Sequence, residues 1–174
     1  ALLVWGHGLF GNADGTVSNR SVIEAAEEFG AVFVGTDWAG MSSNDLNCLA
    51  LALTDVSLFP HVGDMLQQSM INQIALTRTM LGACRVDPAF MVEERPVIDP
   101  GTRYFIGGSQ GSILGGTFLA LSPDIDRGAL VVGGSGWLRR GSASHRSIRP
   151  VPPGRRRSLS RSCSSPCAGR DPQT

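Results

Sequence analysis

A serine between glycines is the residue whose setting most favours covalent chemistry. It lies in the Gly-Gly-Ser-Gln-Gly stretch at 107–111, after the apolar run 103–106 and before a segment typical of a helix. A serine at a sharp strand-to-helix turn exposes its Oγ in strained backbone geometry, and the helix start offers free N–H groups to a developing oxyanion. Gly107 and Gly111 let neighbouring backbone pass close to the turn. The pattern predicts that Ser109 is a nucleophile; the alternative is a glycine-rich turn with an incidental serine.

A second glycine-rich turn follows the first apolar run of the chain and reads Trp-Gly-His-Gly-Leu-Phe-Gly over 5–11. Together, the two turns resemble those of the α/β-hydrolase family of serine esterases and lipases, over about residues 1–138. The resemblance implies a Ser109 nucleophile and an oxyanion hole made by the backbone N–H groups of Leu9 and Gln110. It also implies that the glycines and the histidine around them shape the two loops: Gly6, His7, Gly8, Gly107 and Gly111.

The activity that this resemblance implies is hydrolysis of an ester or related acyl bond in a small molecule, with no metal and no cofactor. A catalytic triad also needs an acid and a histidine base, which follow the serine in this family. After Ser109 the chain offers only Asp124, Asp126, Asp171 and His145. The first two precede the fourth predicted strand, at the wrong end of the sheet, and the others lie in a basic tail. We therefore expect the triad acid and base to be missing, the chain to be truncated and its activity to be weak.

The dipeptide Asp37-Trp38 follows the second apolar run, at the edge of the sheet where ligands bind in α/β proteins. This position predicts a place in a substrate pocket. The alternative is that Asp37 caps the turn that follows it. His61, next to Pro60, has the setting of a loop histidine.

Four short apolar runs, each followed by glycine or a turn residue, indicate strands: 2–5, 31–35, 103–106 and 129–132. Continuous rather than alternating apolar runs are typical of parallel strands buried on both faces. Helical patterns lie between them, at 21–29, at 46–53, from a cap at Asp64 to Gly82, and at 110–121. The predicted fold is α/β, a partial α/β-hydrolase fold with a mostly parallel sheet of about four strands and flanking helices.

The charge of the chain is divided at residue 138. Residues 1–138 hold 6 Arg and 14 acidic residues, whereas residues 139–174 hold 9 Arg and one acidic residue, so a net −8 is balanced by a net +8. The second part also holds 8 Ser and 5 Pro, a composition that cannot form a packed core. We predict a hydrolase-like core at 1–138 and a disordered tail at 139–174, either genuine or translated out of frame.

Two other functions fit parts of the sequence. Gly6, Gly8 and Gly11 match the glycine spacing of a dinucleotide-binding turn, with Asp37 ending the next strand as a ribose ligand. One feature argues against dinucleotide binding: residues 12–15 have the composition of a loop, whereas the helix that follows a dinucleotide-binding turn starts within the glycines. The Arg-rich tail is a candidate for nucleic-acid binding, but no aromatic residues interleave with its arginines. No apolar run is long enough to span a membrane.

Overall fold

The computed structural model describes residues 1–134. Its strands are β1 (Leu2–Gly6), β2 (Val32–Gly35), β3 (Met91–Val92), β4 (Arg95–Pro96), β5 (Arg103–Gly108) and β6 (Arg127–Val131). Its α-helices are α1 (Ala13–Val17), α2 (Arg20–Phe29), α3 (Leu46–Thr54), α4 (Phe59–Leu81), α5 (Ala83–Val86) and α6 (Gln110–Leu121). The predicted domain boundary at 138 and the predicted tail at 139–174 lie outside the described residues.

Four strands form one parallel sheet in the order β2-β1-β5-β6. In β1, Leu2 pairs with Val32 of β2 on one side and with Arg103 of β5 on the other. The prediction of an α/β fold with a four-stranded parallel sheet and flanking helices is therefore confirmed. β3 and β4 form a separate antiparallel hairpin, within a stretch that has no strand in the prediction.

The order of the strands creates a crevice between β1 and β5. The chain leaves β1 toward β2 on one side, and leaves β5 toward β6 on the other. Ligands of open α/β sheets bind at such a switch point, at the carboxyl ends of the strands, because the diverging connections leave room there. Both glycine-rich turns of the sequence, at 5–11 and 107–111, begin at this point.

The helices correct two predictions. Residues 12–15 were predicted as loop, but α1 begins at Ala13, and the Asn12 side chain caps its first turn by accepting from the Gly15 N–H. Asp64, predicted as a helix cap, lies inside α4, which begins at Phe59 because Pro60 is compatible with a first helical turn. The predicted end of α2 at residue 29 is confirmed, and Gly30 follows it with φ +58° in the left-handed region.

The core beneath the crevice is aromatic. Phe105 of β5 and Phe118 of α6 are fully buried, with ring centroids 5.2 Å apart, and they pack with Val4, Trp38 and Met70. Met70 of α4 thus fills the core. A second cluster of Leu2, Met80 and Ile98 lies along α4. These contacts fix β1, β5 and α6, which carry the two turns.

Candidate active site

Ser109 has the backbone conformation expected of a strained strand-to-helix turn. It joins β5 to α6 with φ 53° and ψ −116°, a region that a residue with a side chain rarely adopts. Ser109 is exposed, and its side chain makes no capping bond to α6. Its N–H donates to the Val131 carbonyl at 2.9 Å. The conformation is therefore held by β6 while the hydroxyl stays open to solvent.

Backbone strain is concentrated at this end of the sheet. Among residues 1–134, five non-glycine residues have positive φ, and two of them, Glu93 and Glu94, form the tight turn of the hairpin. The other three are Phe10, Ser109 and Val132, which follow β1, β5 and β6. The positive-φ residues that do not belong to the hairpin therefore lie at the end of the sheet that carries Ser109. Backbone strain is found in the same way at many functional sites.

The two turns touch through glycine backbone. A Cβ placed on Gly107 would overlap the Gly111 carbonyl, and one on Gly111 would overlap the Gly6 carbonyl and come within 2.7 Å of the His7 carbonyl. Backbone atoms cannot move aside as a flexible side chain can. These positions therefore require glycine because neighbouring backbone lies too close for a Cβ, and not because the residue has a positive φ.

We expect Gly111→Ala to lower the free energy of unfolding by at least about 3 kcal/mol, because the methyl group cannot be accommodated without moving β1 from α6. The matched control is Gly108→Ala. A Cβ on Gly108 meets nothing within 4 Å, so its effect should stay within about 1 kcal/mol. Urea unfolding of both variants gives the comparison. Equal losses would contradict the close packing of the two turns.

His7 is a buried structural residue of the first turn. Its Nε2 accepts a hydrogen bond from the backbone N–H of Trp38 at 2.8 Å, and its Nδ1 lies 2.8 Å from the Gly8 carbonyl oxygen. Because the Trp38 N–H can only donate, the ring proton is on Nδ1 and is donated to Gly8. Both nitrogens are occupied and the residue is 2% exposed. His7 thus ties the turn to residue 38 and has no nitrogen free to accept a proton from Ser109.

The predicted oxyanion donors, the backbone N–H groups of Leu9 and Gln110, belong to the two glycine-rich turns. Gly8 is next to Ser109, since a Cβ placed on Gly8 would lie 3.7 Å from the Ser109 Cβ. Further along the first turn, the Phe10 N–H donates to the Met41 carbonyl and the Gly11 N–H donates to the Gly8 carbonyl. Within residues 1–134, the N–H groups of Leu9 and Gln110 have no acceptor. Two unpaired donors therefore lie on the two loops that flank Ser109.

Asp37 and Trp38 are built into the structure around the site. The Asp37 carboxylate accepts the Ala13 N–H at 2.7 Å and the Asn44 amide at 2.9 Å. Trp38 is completely buried in the aromatic core. Asp37 therefore holds the start of α1, whereas the N–H groups of the turn that follows it, at Gly40 and Ser42, donate to Asp45. Trp38 has no exposed surface, and a pocket role for the pair stays a prediction.

The geometry of α1 argues against dinucleotide binding. A pyrophosphate would need the free N–H groups of the first helical turn. Here the Ala13 N–H donates to the Asp37 carboxylate and the Gly15 N–H to the Asn12 side chain, so these donors are occupied, one of them by a negative charge. The same bonds occupy Asp37, the predicted ribose ligand.

The acids after Ser109 lie at the other end of the sheet. Asp126 forms two hydrogen bonds with the Arg103 guanidinium, at 2.6 and 3.1 Å, at the start of β5, and these bonds raise the pKa of Arg103. Asp124 pairs with Arg78 of α4 at 2.8 Å. His61 lies in the first turn of α4. His145 and Asp171 are outside the described residues.

No family model, curated protein or solved structure matches this chain. Its function is therefore inferred from the geometry of the two turns. In the part of the chain that the structure describes, no group of three or more His, Cys, Asp or Glu side chains could hold a metal ion. No helix within residues 1–134 is long and apolar enough to cross a membrane.

Two residues of the site were missed by sequence reasoning. Ser112, in the first turn of α6, places its hydroxyl 2.5 Å from the Gly107 carbonyl and 2.6 Å from the Val131 carbonyl, so it joins the ends of β5 and β6. Met41 contacts both the first turn and Gln110. The position of Ser112, one helical turn after Ser109, could have indicated that it lies near the site. The sequence gives no indication for Met41, because its partner Gln110 lies 69 residues away.

Proposed function

We propose that this protein is a serine hydrolase of the α/β-hydrolase type, acting on an ester or related acyl bond of a small molecule. The observation that carries the proposal is the conformation of Ser109, which holds an exposed hydroxyl at φ 53° and ψ −116° ahead of the twelve-residue helix α6. A hydroxyl incidental to a glycine-rich turn has no need of this strain. The proposal is tested by covalent labelling of Ser109 with a fluorophosphonate, set out in the Discussion.

In the proposed reaction the Ser109 Oγ attacks the acyl carbon and its proton passes to solvent. The carbonyl oxygen becomes an oxyanion, which accepts hydrogen bonds from the N–H groups of Leu9 and Gln110. The α6 N-terminus adds a partial positive charge beside it. Collapse of this intermediate breaks the bond to the leaving oxygen, which takes a proton from solvent and departs as the alcohol. Water then attacks the acyl-serine, releases the acid and restores the Ser109 hydroxyl.

Three structural features support this assignment of roles. The nucleophile lies at the switch point of the sheet, where ligands of open α/β sheets bind. The two donors belong to the residue after the nucleophile and to the loop that follows a neighbouring strand, the arrangement typical of this class of enzyme. The glycine contacts between the two turns hold both loops against each other, so the donors are positioned before substrate arrives.

We expect slow turnover by the 174-residue chain, because His7 is fully engaged and the acids after Ser109 that the structure describes are bound to arginines. An oxyanion hole without a working triad accelerates a reaction by roughly 10³–10⁴ over water. The rate acceleration for p-nitrophenyl butyrate should lie in that range, and the His145→Ala variant should have the same rate as the unaltered chain. A rate typical of an intact serine esterase that His145→Ala removes would show that residue 145 supplies the base.

A further inference from the structure

The segment 37–45, which we call the brace loop, is folded around one carboxylate. Asp45 accepts three hydrogen bonds, from the Gly40 N–H at 2.8 Å, the Ser42 N–H at 3.1 Å and the Ser42 hydroxyl at 2.6 Å. Met41 lies between the residues that are held in this way, and its N–H donates to the Trp38 carbonyl at 3.0 Å. The position of Met41 is therefore fixed by local bonds on both sides.

The brace loop holds the first glycine-rich turn along its length. The Trp38 N–H donates to His7, the Phe10 N–H donates to the Met41 carbonyl at 3.1 Å, and the Ser43 N–H donates to the Gly11 carbonyl at 3.0 Å. The Leu9 N–H belongs to the Gly8–Leu9 peptide, whose carbonyl accepts from the Gly11 N–H and lies 2.8 Å from His7 Nδ1. The Phe10 N–H belongs to the next peptide, Leu9–Phe10. The Met41 carbonyl thus fixes the peptide that follows one proposed donor.

The Met41 side chain contacts the side chain of Gln110, the residue whose backbone N–H is the other proposed donor. Its Sδ accepts a hydrogen bond from the Gln110 side-chain amide, with the two atoms 2.7 Å apart. Gln110 is 8% exposed, and its Oε1 is buried with no partner within the described residues. A buried amide is costly unless it is hydrogen-bonded. The thioether is therefore the contact that fixes the Gln110 side chain in this position.

We propose that Met41 is a positioning residue that sets the separation of the two oxyanion donors, through its carbonyl to the Leu9–Phe10 peptide and through its sulfur to Gln110. The inference rests on the proposed function, since it assigns Met41 a task in that oxyanion hole. Within residues 1–134, Met41 forms no hydrogen bond with Ser109. Small displacements of such donors are costly because the oxyanion must be met at hydrogen-bond distance.

Met41→Leu isolates the sulfur, because leucine keeps the volume and the backbone carbonyl but has no lone pair. We expect kcat for p-nitrophenyl butyrate to fall roughly tenfold, less than the loss of a whole donor, with KM unchanged. The NMR signals of the Gln110 side-chain and backbone amides should shift. The control is Met91→Leu, the same substitution on the β3–β4 hairpin. It should change neither kcat nor the Gln110 amide signals.

A double-mutant cycle tests whether Met41 acts through Gln110. Gln110→Met removes the side-chain amide and keeps the backbone N–H, so adding Met41→Leu to it should have no further effect on kcat. The inference is overturned if Met41→Leu behaves like Met91→Leu, or if its effect is unchanged in the Gln110→Met background. Failure of the proposed function gives a different result: Ser109→Ala would be labelled like the unaltered chain, whereas the Gln110 amide signals would still report on the contact with Met41.

Discussion

Ser109→Ala is expected to abolish labelling of the chain by a fluorophosphonate. In this reaction the serine Oγ forms a bond to phosphorus, fluoride leaves with the bonding electrons, and the hydroxyl proton passes to solvent or to a base. The substitution removes one oxygen from an exposed position without a hydrogen-bond partner in α6, so the fold should be retained. Labelling is measured by the intact mass of the protein over time.

The matched control for this prediction is Ser21→Ala. Ser21 is exposed in the first turn of α2, a helix in which no residue has positive φ. This variant should be labelled at the rate of the unaltered chain. Labelling of Ser109→Ala at that same rate would move the nucleophile elsewhere and remove the reason for assigning the chain to serine hydrolases.

Leu9→Pro is expected to lower kcat for p-nitrophenyl butyrate by roughly 10²–10³, the scale of one oxyanion donor, because proline has no N–H. Leu9→Ala keeps the N–H and should change kcat little. The Leu9 side chain is 53% exposed, so shortening it removes little packing. The pair of substitutions at one position therefore separates the backbone donor from the side chain.

Proline also restricts the backbone, so the two Leu9 variants must be compared as folded proteins. Urea unfolding gives their stabilities, and the labelling rate of Ser109 reports whether the nucleophile is still accessible. Equal effects of proline and alanine on kcat, in proteins of similar stability, would exclude the Leu9 N–H from the oxyanion hole.

The sheet and the turn at Ser109 could be predicted because their signals are local. Continuous apolar runs that end in glycine mark parallel strands, and the start of α6 follows from the change of pattern after the serine. Gly107 and Gly111 could be identified for the same reason. All of these features depend on residues that are neighbours in the chain or on one helix.

The features that the sequence did not reveal depend on distant partners. α1 is held by Asp37, 24 residues away, and its own residues include Asp14 and Gly15, which favour a loop. The bond from Trp38 to His7 spans 31 residues. Hydrophobic periodicity carries no information on such contacts. The resemblance implied that His7 shapes its loop, but neither its partner at residue 38 nor the brace loop could be predicted.

The most direct test of the proposed site is a crystal structure of the chain after reaction with the fluorophosphonate. We expect continuous density from the Ser109 Oγ to phosphorus, and a phosphonyl oxygen about 2.7–3.1 Å from the Leu9 and Gln110 backbone nitrogens. An adduct on another residue, or a phosphonyl oxygen turned away from both N–H groups, would contradict a nucleophilic Ser109 with an oxyanion hole formed by Leu9 and Gln110.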